Sequence, residues 1–289
     1  MVPSAPVNLR DSKLLRLLAT LGVVLGLAAG AAACSSGNAE VVGVVETTTT
    51  TAPDPYVTVV ATAKNAEIEV FAELPGGAAA AAPSPTTTAP PAKNVQPIPR
   101  IGLNSAGSAK TDVGWTFENP TYFDNPLVMV VNETSGDWLR VQLHARPNEM
   151  EGWVRADDVE LTSHSYRMEL DLAGFDLKVY DGEELIEETQ VVIGKDATPT
   201  PLGTYFLNEM IPQSNPGGAF GPWILSTSAY SETLETFDGG LPVIAFHGTN
   251  QPDLIGTQAS NGCIRMPNDV VTRLAETLPA GTPVTVFDS

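Results

Sequence analysis

Cysteine is nearly absent from this chain: Cys34 and Cys263 are the two among 289 residues. Two thiols cannot supply the framework of bridges that holds small secreted domains together, so each needs its own explanation. Histidine is almost as scarce, with His144, His164 and His247. Positive charge is short as well: 15 Lys and Arg stand against 34 Asp and Glu, a net charge of −19. There is no basic stripe to meet phosphates, which argues against nucleic acid as a partner. An anionic substrate would therefore need a local cation at its site. Proline and glycine are plentiful, at 24 and 25 residues, and fall in low-complexity segments and at the turns of strand-rich regions. The length allows two domains.

The amino terminus reads as an address. Arg10, Lys13 and Arg16 precede an apolar run to Ala33, and Ala31-Ala32-Ala33 leads into Cys34. Small residues before a cleavage point mark a secretory signal peptide over 1–33. A cysteine directly after them resembles a bacterial lipobox, with alanine rather than leucine at Ala31. That resemblance implies a lipid on the Cys34 thiol and a place outside the cytoplasmic membrane. Ordinary cleavage and an uncleaved anchor remain alternatives.

Residues 34–99 read as a low-complexity tether, with the threonine run Thr47–Thr51 and a later alanine- and proline-rich stretch. A short strand segment at 56–71 interrupts it and is too small to be stable alone. Whether it supplies the first strands of the next module is left open. Over 100–162 the pattern is short strands: Leu127 to Val131, then Trp138 to Leu143 alternating with period two, then Gly152-Trp153-Val154. These resemble a bacterial SH3-like module, with Trp138 and Trp153 expected in its core and His144 on a surface loop.

Strands resume after His164, a linker residue in this reading. Tyr166, Met168, Leu170 and Leu172 alternate with polar residues, and Asp181-Gly182 signals a hairpin. Prolines around Thr200 hold an extended backbone before Gly203. Gly217 to Trp223 is a glycine-rich loop with two aromatics, either a plain loop with buried rings or a lip over a site. Leu241 to Phe246 is an apolar strand that delivers His247 at its end. Ser260-Asn261-Gly262-Cys263 is a tight approach to the thiol. A helix follows, with Val270, Val271, Leu274, Ala275 and Leu278 on one face and Asn268 or Asp269 as its cap. Cys263 just ahead of that helix is expected to gain thiolate character from its dipole.

A thiol and an imidazole each beside a glycine suit acyl transfer: a thiolate attacks a carbonyl carbon and a base takes its proton. The amides of Asn261, Gly262 and Cys263 are candidate donors to the oxyanion. Arg265 is the local cation, to lower the thiol pKa or bind a carboxylate. A buried inert cysteine and a core histidine are common alternatives.

The run His247-Gly248-Thr249, then Ser260-Asn261-Gly262-Cys263-Ile264-Arg265-Met266, with Thr198 to Thr204 upstream, resembles the L,D-transpeptidase catalytic family over residues 165–289. The resemblance implies a mainly β protein: a small SH3-like barrel, then a β-sandwich catalytic domain with one short helix after the nucleophile. Cys263 is then the acylated nucleophile and His247 its base, with a backbone carbonyl near Gly248 setting the imidazole tautomer. Ser260, Gly262 and Arg265 match signature positions. Asn261 departs from the form with histidine there, so the burden falls on His247. Asn261, Gly262, Ser260, Arg265 and Trp223 are the expected oxyanion and substrate contacts. Implied partners are peptidoglycan stem peptides and, as inhibitors, carbapenem-type β-lactams, with no metal or organic cofactor. The reaction implied is 3→3 cross-linking through a thioester. A carboxypeptidase, a protein-to-wall attaching enzyme and a non-catalytic wall-binding lipoprotein are the alternatives.

Overall fold

The computed structural model describes residues 55–76 and 108–289. The expected signal peptide, Cys34 and the tether apart from 55–76 lie outside the described residues. Among the described residues, no helix is long and apolar enough to cross a membrane.

The first sheet has eight strands: β1 Thr58–Ala63, β2 Glu67–Phe71, β3 Ser108–Lys110, β4 Gly114–Glu118, β5 Val128–Ser135, β6 Trp138–Gln142, β7 Glu151–Arg155 and β8 Val159–His164. Their order is β3-β4-β2-β7-β6-β5-β1-β8. The strand segment left open by the sequence is thus part of this sheet, because β1 pairs with both β5 and β8. Period-two alternation explains the burial. Ile68 and Val70 are buried while Glu67 and Glu69 are exposed. Leu139, Val141 and Val154 join them in the core with Phe117 and Met129.

That same alternation corrects the expectation for the tryptophans. Leu139 and Val154 point inward, so Trp138 and Trp153 face the other way and are half-buried. Phe71 meets Trp138 edge-on at 5.1 Å, and the Arg155 guanidinium lies 4.9 Å from the Trp138 ring. His144 is also misplaced by the sequence reading. It is half-buried, stacked on Tyr230 at 4.9 Å, with Nδ1 2.9 Å from the Asn208 amide nitrogen. Burial pushes its pKa down to about 4.

The second sheet starts one residue after β8. Its strands are β9 Tyr166–Asp171, β10 Asp176–Asp181, β11 Glu184–Gln190, β13 Gly203–Pro212, β14 Trp223–Tyr230, β15 Val243–His247, β17 Ile264–Arg265 and β18 Pro283–Phe287; the small strands β12 Ile193–Gly194 and β16 Gln258–Ser260 pair in parallel beside it. The order β11-β10-β9-β18-β13-β14-β15-β17 is one continuous, curled sheet, not the two separate layers expected of a sandwich. The reason is the length of β13. Its residues Gly203 to Phe206 pair with β18, and Leu207 to Pro212 pair with β14. Helix α1, Asn268–Thr277, closes the core with Val270, Val271 and Leu274. Full burial of such side chains is worth roughly 1.5–3 kcal/mol each.

The two sheets share an interface. Val60, Val128 and Val130 from the first sheet pack on Phe206 of β13, with Ala280 alongside. Polar contacts surround this patch: Gln142 Nε2 donates to the Thr204 carbonyl at 2.6 Å, and the Thr204 amide donates to Glu149 at 2.8 Å. The Thr121 hydroxyl donates to Glu209.

Candidate active site

Strand β15 alternates. Ile244 and Phe246 enter the core, so Val243, Ala245 and His247 lie on the opposite face. The short β17 pairs with it in parallel, Phe246 with Ile264 and His247 with Arg265. Cys263 therefore arrives one residue before that pairing begins, beside Ala245. This brings together two residues that sequence reading could link only by type. A cleft of about 180 Å³ has His247, Cys263, Asn261, Ser260 and Arg265 in its lining. Its apolar wall is Phe220, Leu234, Phe237, Pro242 and Val243.

The His247 imidazole is buried, and its Nδ1 lies 2.6 Å from the Gly248 carbonyl oxygen. A carbonyl only accepts, so Nδ1 carries the proton and Nε2 keeps a bare lone pair. Phe220 approaches the imidazole edge-on at 5.0 Å. Burial brings the His247 pKa down to about 4; the Gly248 hydrogen bond opposes this and the Arg265 charge adds to it. Glycine is required at 248, since a Cβ there would lie 2.2 Å from Asn268 Oδ1 and 2.9 Å from the Gly221 Cα.

Cys263 is half-buried, its thiol 3.8 Å from the Val243 carbonyl. Burial pushes the thiol pKa up, while a hydrogen bond with the Ala245 backbone and the Arg265 charge pull it down. The helix does not follow the cysteine directly. Strand β17 and Pro267 separate the cysteine from α1, and the dipole effect fades within a helix's first turn. Both shifts favour the uncharged forms, thiol and imidazole.

The loop behind the thiol is held by two hydroxyls. Ser260 Oγ donates to the Cys263 carbonyl at 2.6 Å and accepts the Gly262 amide at 3.0 Å. Thr200 Oγ1 donates to the Gly262 carbonyl at 2.8 Å and accepts the Gly194 amide at 3.0 Å. Gly262 has φ +118°, a backbone state that L side chains rarely adopt, and a Cβ would meet Ile244 Cδ1 at 2.9 Å. Its amide is committed to Ser260, so Gly262 is removed from the expected oxyanion donors. The Asn261 and Cys263 amides remain, with no intramolecular acceptor seen among the described residues.

Residues 165–286 match the L,D-transpeptidase catalytic domain family, YkuD. Over 121 residues, 42% of this chain, the sequence is 36% identical to the YkuD protein of Bacillus licheniformis, which carries the name of an L,D-transpeptidase. That match spans 65% of the relative. A second, named in the same way, from Bacillus subtilis strain 168, is 40% identical over 96 residues, covering 33% of this chain and 50% of the relative. The chain thus spans between half and two-thirds of these relatives. Among solved structures, an L,D-transpeptidase from Mycobacterium smegmatis is 16% identical, with 55% of this chain and 89% of that chain covered and a TM-score of 0.35.

Within this transpeptidase-like domain, one candidate sits differently from expectation and one sits as expected. Trp223 opens β14 and packs against the core; of the two loop aromatics, the ring in the cleft is that of Phe220. Arg265 lines the cleft and donates to Gln251 Oε1 at 3.3 Å. It forms no ion pair with a carboxylate among the described residues, so its charge is available to a ligand. Leu234 and Phe237 were not legible as cleft residues, because Ser231 to Gly240 has no periodicity. Among the described residues, no three His, Cys, Asp or Glu side chains converge as metal donors.

Proposed function

We propose that the chain is a peptidoglycan L,D-transpeptidase that forms 3→3 cross-links through a thioester on Cys263. The observation that supports this most is the junction of His247 and Cys263 in one cleft, through the β15–β17 pairing, inside the matched domain. In this reading the donor is a tetrapeptide stem, and Cys263 attacks the carbonyl between its third residue and the terminal D-alanine. The bare Nε2 of His247 takes the thiol proton as sulfur bonds to carbon. The Cys263 and Asn261 amides receive the oxyanion. The tetrahedral intermediate collapses, D-alanine leaves with the proton from His247, and a thioester remains. An amine of a second stem then attacks the thioester, loses its proton to His247 and releases the thiol. Arg265 binds a stem carboxylate. Carbapenem-type β-lactams acylate the same sulfur. Lipidation of Cys34 holds the protein at the outer face of the cytoplasmic membrane.

The test incubates the full chain, in detergent, with disaccharide-tetrapeptide and follows dimer and free D-alanine by mass spectrometry. The expected products are both, and neither with Cys263→Ala. Unchanged products in that variant refute the mechanism, and D-alanine without dimer assigns the site to hydrolysis instead. For the anchor, Cys34→Ala is expected to move the protein to the soluble fraction; persistent membrane association points to an uncleaved segment.

A further inference from the structure

We propose that Asn268 is a positioning residue for the His247 imidazole: its side-chain oxygen holds the Gly248–Thr249 peptide so that the Gly248 carbonyl selects the Nδ1–H tautomer. The inference rests on the acyl-transfer reading, in which the bare Nε2 takes the thiol proton.

The geometry is that of one peptide unit. The Gly248 carbonyl and the Thr249 N–H belong to the same planar trans amide, so they point in opposite directions. The N–H donates to Asn268 Oδ1 at 2.8 Å, and the carbonyl accepts from His247 Nδ1 at 2.6 Å. Rotating this peptide plane breaks both bonds together. Glycine at 248 leaves the plane free to rotate unless something fixes it. Asn268 does so from a notch between two glycines: a Cβ on Gly221 would lie 2.4 Å from its Oδ1, and one on Gly248 nearer still, at 2.2 Å.

Its place in the fold is telling. Asn268 is the first residue of α1, where an asparagine ordinarily satisfies the helix's own amides. Here the helix start has no side-chain cap bond, with Pro267 at the N-cap. The side-chain oxygen is turned to the catalytic loop instead. If the peptide turns over, Nδ1 loses its acceptor and the ring is free to carry its proton on Nε2. The imidazole then presents an N–H to the thiol and cannot act as its base.

The test uses the 15N-labelled full chain. Imidazole nitrogen shifts report the His247 tautomer, and iodoacetamide reports Cys263 reactivity at neutral pH. Asn268→Leu keeps the volume and loses the acceptor; Asn268→Asp keeps both. The parent and Asn268→Asp are expected to show the Nδ1–H form. Asn268→Leu is expected to show a tautomer mixture and alkylation slower by about threefold to tenfold, the factor that one hydrogen bond of roughly 1 kcal/mol sustains. The parent tautomer in Asn268→Leu, or its loss in Asn268→Asp, overturns the proposal. The two variants are matched in size and compared at a temperature where both are folded, so a general loss of structure is not mistaken for the effect. Neither readout uses a peptidoglycan substrate, so failure here is distinct from failure of the transpeptidase reading.

Discussion

The Arg146 guanidinium donates to the Leu234 carbonyl at 3.0 Å, and so ties the first sheet's module to the wall of the cleft. The same group lies 5.4 Å from the Tyr230 ring, and Asn148 exchanges two hydrogen bonds with the Tyr230 backbone, at 2.9 and 2.8 Å. The module therefore braces the segment that carries Ser231, Leu234 and Phe237. Arg146→Ala is expected to leave the fold intact and to speed amide hydrogen exchange across residues 231–240. Half-saturation by a carbapenem should rise about threefold to tenfold, as for one lost contact of roughly 1 kcal/mol. Parent values in both measurements would show the brace to be dispensable.

A raised thiol pKa has a direct kinetic signature. Cys263 alkylation by iodoacetamide should keep climbing as pH passes the ordinary thiol range, without a plateau at neutral pH. Ultraviolet absorbance should show no thiolate at pH 7. A plateau near neutrality would mean that the cysteine and His247 rest as an ion pair.

Thr200 holds one buried acceptor and one buried donor, the Gly262 carbonyl and the Gly194 amide. Thr200→Val keeps the shape and orphans both. The expected cost is roughly 2–6 kcal/mol of stability, from about 1–3 kcal/mol per unsatisfied group, with a slower reaction at Cys263. Denaturant unfolding and alkylation rates measure the two effects.

His144 and His247 both have pKa values brought down to about 4 by burial. From the ordinary value of 6.5 down to that point, the unfolded chain binds more protons than the folded one. Stability is therefore full above pH 6.5, is lost as pH falls toward 4, and levels off below. His144→Phe should flatten this slope, and denaturant titrations at pH 7, 5.5 and 4 would reveal it. An unchanged slope would assign the loss to other groups.

Much of the catalytic half was legible because its signals are local. Period-two alternation marked β9 and β10, Asp181-Gly182 the hairpin from β10 to β11, and one apolar face the helix. His247 and Cys263 stood out by scarcity and glycine neighbours. Strand β14 was missed because its Ser226, Thr227 and Ser228 look like a loop. They are buried by pairing between β13 and β15, with Thr227 Oγ1 donating to the Ile244 carbonyl at 2.6 Å. Those are long-range facts that no window of sequence contains. His144 failed for the same reason: its partners Asn208 and Tyr230 come from the other domain. Asn268 carried a correct local signal, a helix start, and spends its side chain elsewhere.

Val60 of the first described strand touches Gly281, near the chain's end, so closely that a Cβ on that glycine would lie 2.5 Å from it. The same valine packs with Phe206 and Ala280. A ribosome therefore releases one of the earliest pieces of this interface long before the last. Until residues 280–281 are in place, the module carries an unfinished seam of Val60, Val128 and Val130.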